Sequence, residues 1–207
     1  MPFTNLIIHL FYMTSCKQNI NLELTQQLKN INVSKSNINK IIKKKSVFEM
    51  KRGTEIISHS NQNQSYIYII SGIARQYILD NDGNDYTKDF FHSKQLINVQ
   101  IFNSTHINME CIKPGKYMMW SKEEFENCFN KEEFNEFLIE NFKQHIEKKD
   151  LKEISLIHDS AKEKLIKFHK NYAWLFHEIP HRYIASYLCI KPETLSRLRG
   201  QILNYNI

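Results

Sequence analysis

Two side chains near the C-terminus carry the most specific chemistry in this sequence. Glu193 and Arg197 stand four residues apart in the run HRYIASYLCIKPETLSRLRG, residues 181–200. On a helix that spacing puts them on one face. A carboxylate can accept from the cytosine amino group, and a guanidinium can donate two bonds to a guanine edge. Thr194 and Ser196 offer hydroxyls that can reach a base or a phosphate, while Lys191, Arg199 and Arg182 offer cations that suit phosphates. The chemistry these groups fit is the reading of a DNA groove.

Such groups act only if a frame presents them. Ile184, Ala185 and Leu188 repeat at helical spacing, Cys189–Ile190–Lys191 interrupt, and Pro192 has the fixed φ that suits a first helical position. Leu195 and Leu198 follow, three apart on an inward face, and small Ala185 stands where two crossing helices would touch. Two short helices joined by a tight turn make a helix-turn-helix, whose second helix lies in the major groove. An ordinary amphipathic helix would show the same leucine spacing, so the motif alone leaves that reading open.

The run IASYLCIKPETLSRLR resembles the recognition module of the Crp/Fnr family of bacterial transcription regulators. The resemblance implies that Glu193 and Arg197, which fall on the family's E-x-x-x-R pattern, read bases. Two positions depart from it. Cys189 stands where the family often has a turn glycine, and Lys191 replaces the usual Ser or Thr before the proline. Seven residues follow Gly200. The β-hairpin wing that many members set on the DNA backbone has no room there, and a wingless form should make fewer phosphate contacts.

Composition sets the outer bounds. The chain has 207 residues, with Lys+Arg 28 against Asp+Glu 22, a formal charge of +6. That length suits one or two domains, and that balance suits a nucleic-acid partner without proving one. Five glycines and four prolines argue against long disordered linkers. Cys16, Cys111, Cys128 and Cys189 form no C-x-x-C pair and read as reduced thiols of a cytoplasmic protein. The family's oxygen sensor holds an iron–sulfur cluster on clustered N-terminal cysteines; only Cys16 lies there, so no cluster and no other cofactor is expected. Residues Leu6–Met13 are apolar but far short of the roughly 20 needed to span a bilayer. No Lys or Arg precedes Lys17, so the charged start of a signal peptide is missing. These residues read as a packed N-terminal helix, or as an upstream extension with Met13 as the true start.

Residues from Asn21 to about Lys45 predict helix, with Leu24, Leu28 and Ile31 on one stripe and Ile38, Ile41 and Ile42 on another. From Val47 the period changes. Val47–Met50, Glu55–Ile57, Tyr66–Ser71, Ala74–Leu79, Asp85–Phe91, Ile107–Ile112 and Lys116–Trp120 are short β-branched or aromatic runs separated by turn residues. Asp82–Gly83 is a strong hairpin signal. Many short strands at regular spacing suggest a sandwich or jelly roll. The stretches KRGTEII, YIYIISGIARQYILDNDGNDYTKDFF and YMMWSKEEF resemble the same family's sensor domain in order, with Gly53, Gly72 and Gly83 at its turn glycines. With the C-terminal module, the resemblance covers most of residues 22–202.

Two capping boxes follow, Ser121-x-x-Glu124 and Ser160-x-x-Glu163. Between them a long helix is predicted, roughly Glu132 to Leu156, with Phe134, Phe137, Leu138, Phe142 and Ile146 as an apolar stripe continued by Ile154. A striped helix needs a partner. That partner is the chain's own sandwich or, as the resemblance implies, the same helix of a second copy. A two-fold dimer would match half-sites spaced about one DNA turn. A further helix runs to about Tyr172, and Trp174, Leu175 and Phe176 are expected to pack it onto the helix-turn-helix.

Family members that bind cyclic nucleotides hold the phosphate with a glycine-lined turn, a glutamate and an arginine. A buried phosphate needs backbone N–H groups and a bidentate cation. The equivalent stretch His92–Cys111 has neither glycine nor arginine, and no arginine occurs between Arg75 and Arg182. A degenerate cassette that does not bind cyclic AMP is expected, leaving the small-molecule effector unknown. Lys94 could attract an anion or be an ordinary surface lysine. His177-Glu178-Ile179-Pro180-His181 matches the zinc motif H-E-x-x-H, but Pro180 would break the helix that must carry both histidines. Gly53 and His59 lack the H-x-H pair of a cupin metal site.

The fold class expected is α+β: an N-terminal antiparallel β jelly roll, a long dimerisation helix and a C-terminal helix-turn-helix domain. The boundaries are 1–46 for N-terminal helices, 47–121 for the roll, 122–158 for the connecting and dimerisation helices, and 159–207 for the DNA-binding domain. The function expected is a homodimeric, cytoplasmic, sequence-specific DNA-binding regulator without enzyme activity. Double-stranded DNA is its partner, RNA polymerase a further one implied by the resemblance, and no membrane is involved. The alternative is a ligand-binding or protein-interaction module whose helix-turn-helix does not read DNA.

Overall fold

Residues 22–30, 33–58, 65–99 and 107–203 are described by a computed structural model, with side chains through Gly200. The expectations for residues 1–20, Cys16 included, and for His59 lie outside them. The predicted N-terminal helical stretch is two helices: α1 over 22–30 and α2, Lys35–Lys44. Ser34 separates them, its hydroxyl accepting from the Asn37 amide.

Six strands form one antiparallel sheet: β1 (Ser46–Met50), β2 (Glu55–Ile57), β3 (Ser65–Leu79), β4 (Asp85–His92), β5 (Gln95–Asn98) and β6 (Ile107–Ser121). The order is β1-β6-β3-β4, with β2 also on β6 and β5 also on β3. The paired short runs expected on either side of Gly72 and Gly115 are two continuous 15-residue strands. Gly72 adopts φ +88°, and a Cβ there would meet the Lys113 carbonyl at 2.5 Å. A Cβ on Gly115 would lie 2.0 Å from the Ser71 carbonyl. The glycines thus mark a close backbone approach inside two strands whose pairing slips between Ile69 and Ala74, rather than turns between four. At Gly83 the turn reading holds: φ is +81° and Asp80 Oδ1 accepts from the Asp82 and Asn84 amides. Strand β5 was missed, because the Gln95–Asn98 segment is short and half polar.

Alternation along β3 sorts its side chains into separate cores. Tyr66 and Tyr68 face a core shared with Leu24, Leu28, Ile38, Trp120, Phe125 and Phe137, whereas Ile67, Ile69 and Ala74 face Phe91, Ile97, Met109 and Cys111. Farther along, Ile73, Phe90 and Ile112 enter a third core made mostly by the C-terminal helices. The helices after the sheet are α3 (Lys122–Glu126), α4 (Lys131–His158), α5 (Ala161–Tyr172), α6 (Leu175–Glu178), α7 (His181–Tyr187) and α8 (Pro192–Leu203). Both capping boxes are formed, at Ser121/Glu124 and Ser160/Glu163. No helix of the described residues is long and apolar enough to cross a membrane.

The apolar stripe assigned to a dimer needs correction. Phe137 is 0% exposed within its own chain's core, and Phe134 and Leu138 pack against that core. Phe142 and Ile146 remain exposed, joined by Ile139, Ile154 and Ile157, the last 79% exposed. At about 100° per residue the two sets point to different sides of α4. One half of the stripe is therefore taken by the chain's own core, and a different line of apolar residues is left exposed within the chain.

Candidate nucleic-acid interface

The α7–α8 pair is held by local rules first. Pro180 ends the preceding segment and Pro192 begins α8. Between the helices, Leu188 and Ile190 amides donate to the Ile184 and Ala185 carbonyls, each at 3.0 Å. Cys189 carries the reversal at φ 53°, a left-handed conformation that explains why a glycine suits this position. Ala185 is buried at the crossing, and Leu195 and Leu198 seal α8 onto the third core.

The outer edge of α8 is free. Lys191, Glu193, Ser196 and Arg197 are exposed, and none makes a hydrogen bond or ion pair with the described side chains. Thr194 is half-buried beside them. Arg199 is half-buried, its Nη1 lying 3.1 Å from Nδ1 of His181, whose Nε2 lies 3.2 Å from the Phe176 carbonyl. An arginine only donates, so Nδ1 accepts and Nε2–H is the donor to that carbonyl. Arg182 is exposed and donates to the Tyr183 hydroxyl at 2.9 Å. The structure thus brings Glu193, Ser196 and Arg197 to one open edge, with Lys191 at its start. Arg182 and Arg199 it ties back to their own fold.

Beneath α7 lies a cluster that the sequence did not announce. Arg75 of β3 is 2% exposed. It donates from Nη1 and Nη2 to the Asp85 carboxylate at 2.9 and 2.6 Å, from Nε to Glu110 at 2.5 Å, and from Nη1 to the Thr87 hydroxyl at 3.1 Å. Its guanidinium carbon sits 3.8 Å from the centre of the Tyr183 ring of α7 and 4.5 Å from that of Tyr77. The Arg75 hydrogen bonds hold the Asp85 carboxyl below the usual carboxylate range. The Thr87 amide donates to the Ser186 hydroxyl at 2.8 Å. Tyr187 packs on Phe90 and Phe168 with the Lys152 ammonium 3.7 Å from its ring centre, and burial pushes its hydroxyl well up. Arg75, Tyr183 and Ser186 escaped sequence reasoning. The only available signal was a charge in the middle of a β run, which ordinarily marks a solvated face.

Trp174 also differs from expectation. Leu175 and Phe176 enter the helical core, but Trp174 is exposed and stands edge-on to His92 of β4, centres 4.9 Å apart. His177 lies in the last turn of α6 and His181 starts α7, on opposite sides of Pro180, so they do not share one helix face. No group of three or more metal-ligating side chains gathers among the described residues. In the cassette region, Lys94 pairs with Glu23 at 2.7 Å; residues 100–106 are not described.

No protein-family model and no curated protein matches the chain. Solved structures do. FixK2 from Bradyrhizobium japonicum superposes with a TM-score of 0.66 at 16% identity, over 79% of this chain and 86% of that one. A candidate transcriptional regulator of the crp/fnr family from Eubacterium rectale gives 0.67 at 15%, over 86% and 87%. A cyclic nucleotide-binding domain containing protein from Listeria monocytogenes gives 0.63 at 15%, over 88% and 91%. The likeness is one of fold: an antiparallel sheet with helices, arranged as in structures of Crp/Fnr regulators.

Proposed function

We propose that this protein is a homodimeric, sequence-specific DNA-binding transcription regulator of Crp/Fnr type. Helices α7 and α8 form its helix-turn-helix and α8 is the recognition helix. The observation that carries the reading is the open edge of α8. Glu193 and Arg197 stand one turn apart, exposed and unengaged within the described chain, on a helix whose other side is closed by Leu195 and Leu198. Charged groups left without internal partners on a firmly seated helix are available to an external one. Glu193 and Arg197 read bases, with Ser196 and Thr194 beside them. Lys191 engages phosphate, and Arg182 and Arg199 do so by turning from Tyr183 and His181.

The exposed apolar line Ile139, Phe142, Ile146, Ile154 and Ile157 supports dimerisation through α4. Paired α4 helices would place two recognition helices for successive major grooves. The six-stranded sheet is read as a jelly roll spanning residues 47–121, with 122–158 as the connecting and dimerisation helices and 159–207 as the DNA-binding domain. Glycine and arginine are missing from the cassette, so cyclic AMP is not the effector. The protein works in the cytoplasm as a regulator without a reaction of its own, with RNA polymerase as a further partner.

Gel shift of the chain with its gene's own upstream region, beside a scrambled duplex of equal length, tests the reading. Saturable binding to the first at salt that releases the second is expected. Sedimentation should show a dimer that Ile146→Glu and Ile157→Glu dissociate. Equal affinity for both duplexes would defeat base reading and leave a protein-interaction or ligand-binding module.

A further inference from the structure

A notch of about 570 Å³ lies between the second half of α4, helix α5 and the end of α7. Five lysines line it, Lys148, Lys152, Lys164, Lys167 and Lys170, against a single acid, Glu147. The volume falls in the range of small-molecule sites. Two of the lysines already have carboxylates: Lys148 holds Asp89 at 2.8 Å and Lys167 holds Asp159 at 2.6 Å. Lys152, Lys164 and Lys170 have none among the described ion pairs. Lys152 instead donates to the Lys88 carbonyl at 2.6 Å and sits over the Tyr187 ring.

We infer that this notch is a binding site for a small anion carrying two or more linked phosphate groups. Lys152, Lys164 and Lys170 line one cavity with no carboxylate among the described residues in an ion pair with any of them, and a single multiply charged anion could neutralise them together. Lysine suits a phosphate as a flexible point charge. Phe168, Tyr172 and Tyr187 form an aromatic wall of the notch. Burial of Lys152 brings its pKa down to about 8 against the opposing pull of Asp89, with Lys148 and Lys88 adding to the fall, so a counter-charge in the notch would favour its charged form. No residue of α8 lines the notch, which separates it from the DNA edge. Because it joins α4 to α5 and α7, ligand and DNA affinities should be coupled, by the same factor in each direction. That coupling rests on the proposed DNA reading; the binding itself does not.

Calorimetric titration of the full chain with sodium tripolyphosphate, with inorganic phosphate as comparator, tests the site. Tripolyphosphate should bind saturably, once per chain and roughly tenfold more tightly than inorganic phosphate. The pair Lys164→Met and Lys170→Met, both away from the core, should weaken it roughly tenfold. Lys152→Arg should retain binding and Lys152→Met lose it. Unchanged affinity in the Lys164/Lys170 variant, or an equal loss in Lys51→Met outside the notch, would overturn the site. So would finding that the notch variants weaken DNA binding when no tripolyphosphate is present and that tripolyphosphate merely competes with DNA, since the lysines would then be DNA contacts. Saturable binding in a protein that ignores DNA would defeat the previous reading and leave this one standing.

Discussion

Helices α7 and α8 are joined by four residues and keep opposite company. In α7, Tyr183, Ile184, Ala185 and Tyr187 are all buried, and its hydroxyls and rings are spoken for by Thr87, Arg75 and Phe90. In α8, Leu195 and Leu198 are buried while Glu193, Ser196 and Arg197 face outward with no internal partner. One helix is foundation and the other is presented by it. Substitutions at the buried positions of α7 should therefore be read out in stability, and those on the outer edge of α8 in recognition alone.

The sharpest test of that division is the largest. Ile184→Ala removes a fully buried side chain from the α7 core and should cost about 2–5 kcal/mol in denaturant unfolding. A loss below about 0.5 kcal/mol would mean that α7 is not seated as described. Next, Arg75→Met strips Asp85, Glu110 and Thr87 of their donor. Because Asp85 is 40% exposed and can rehydrate, the expected loss is about 1–3 kcal/mol. Arg75→Lys should not restore it, since an ammonium cannot make the two-pronged contact or lie flat between Tyr77 and Tyr183.

On the other side of the comparison, Arg197→Ala should leave stability within about 0.5 kcal/mol. It should lose about 1–3 kcal/mol of discrimination between specific and mismatched duplexes, measured by competition gel shift. Equal loss on every duplex would make Arg197 a phosphate contact. The smallest effect sits at the joint itself. Cys189→Gly relieves a left-handed non-glycine residue and should stabilise by about 0.5–1 kcal/mol in thermal unfolding.

Lys152, beneath α7, adds a pH signature. Its folded pKa is lowered from 10.5 to about 8, mainly by burial, so between those values the unfolded chain binds more protons than the folded one. Stability from this group therefore rises with pH, the penalty being fully present below about pH 8 and fading above it. The difference in stability between wild type and Lys152→Met should change between pH 7 and pH 9.5 in wild type's favour, followed by urea unfolding. A flat difference would mean that Lys152 is solvated.

Much of this molecule was legible because it is written in local rules. The capping boxes at Ser121 and Ser160, the start of α8 at Pro192, the Asp80–Asn84 hairpin turn and the inward Leu195 and Leu198 each depend on a few neighbouring residues. Spacing also put Glu193 and Arg197 on one face, and the folded chain leaves that face open. What spacing could not decide was which surface meets which. The sequence shows one apolar stripe on α4, but docking against the sheet takes Phe134, Phe137 and Leu138 and leaves Ile139, Phe142 and Ile146 outside. Arg75 looked like an ordinary strand charge until Asp85, Glu110 and Tyr183, distant in the chain, closed around it. Periodicity and capping are properties of a segment, whereas burial and pairing belong to contacts across the chain that exist only after the segments have docked.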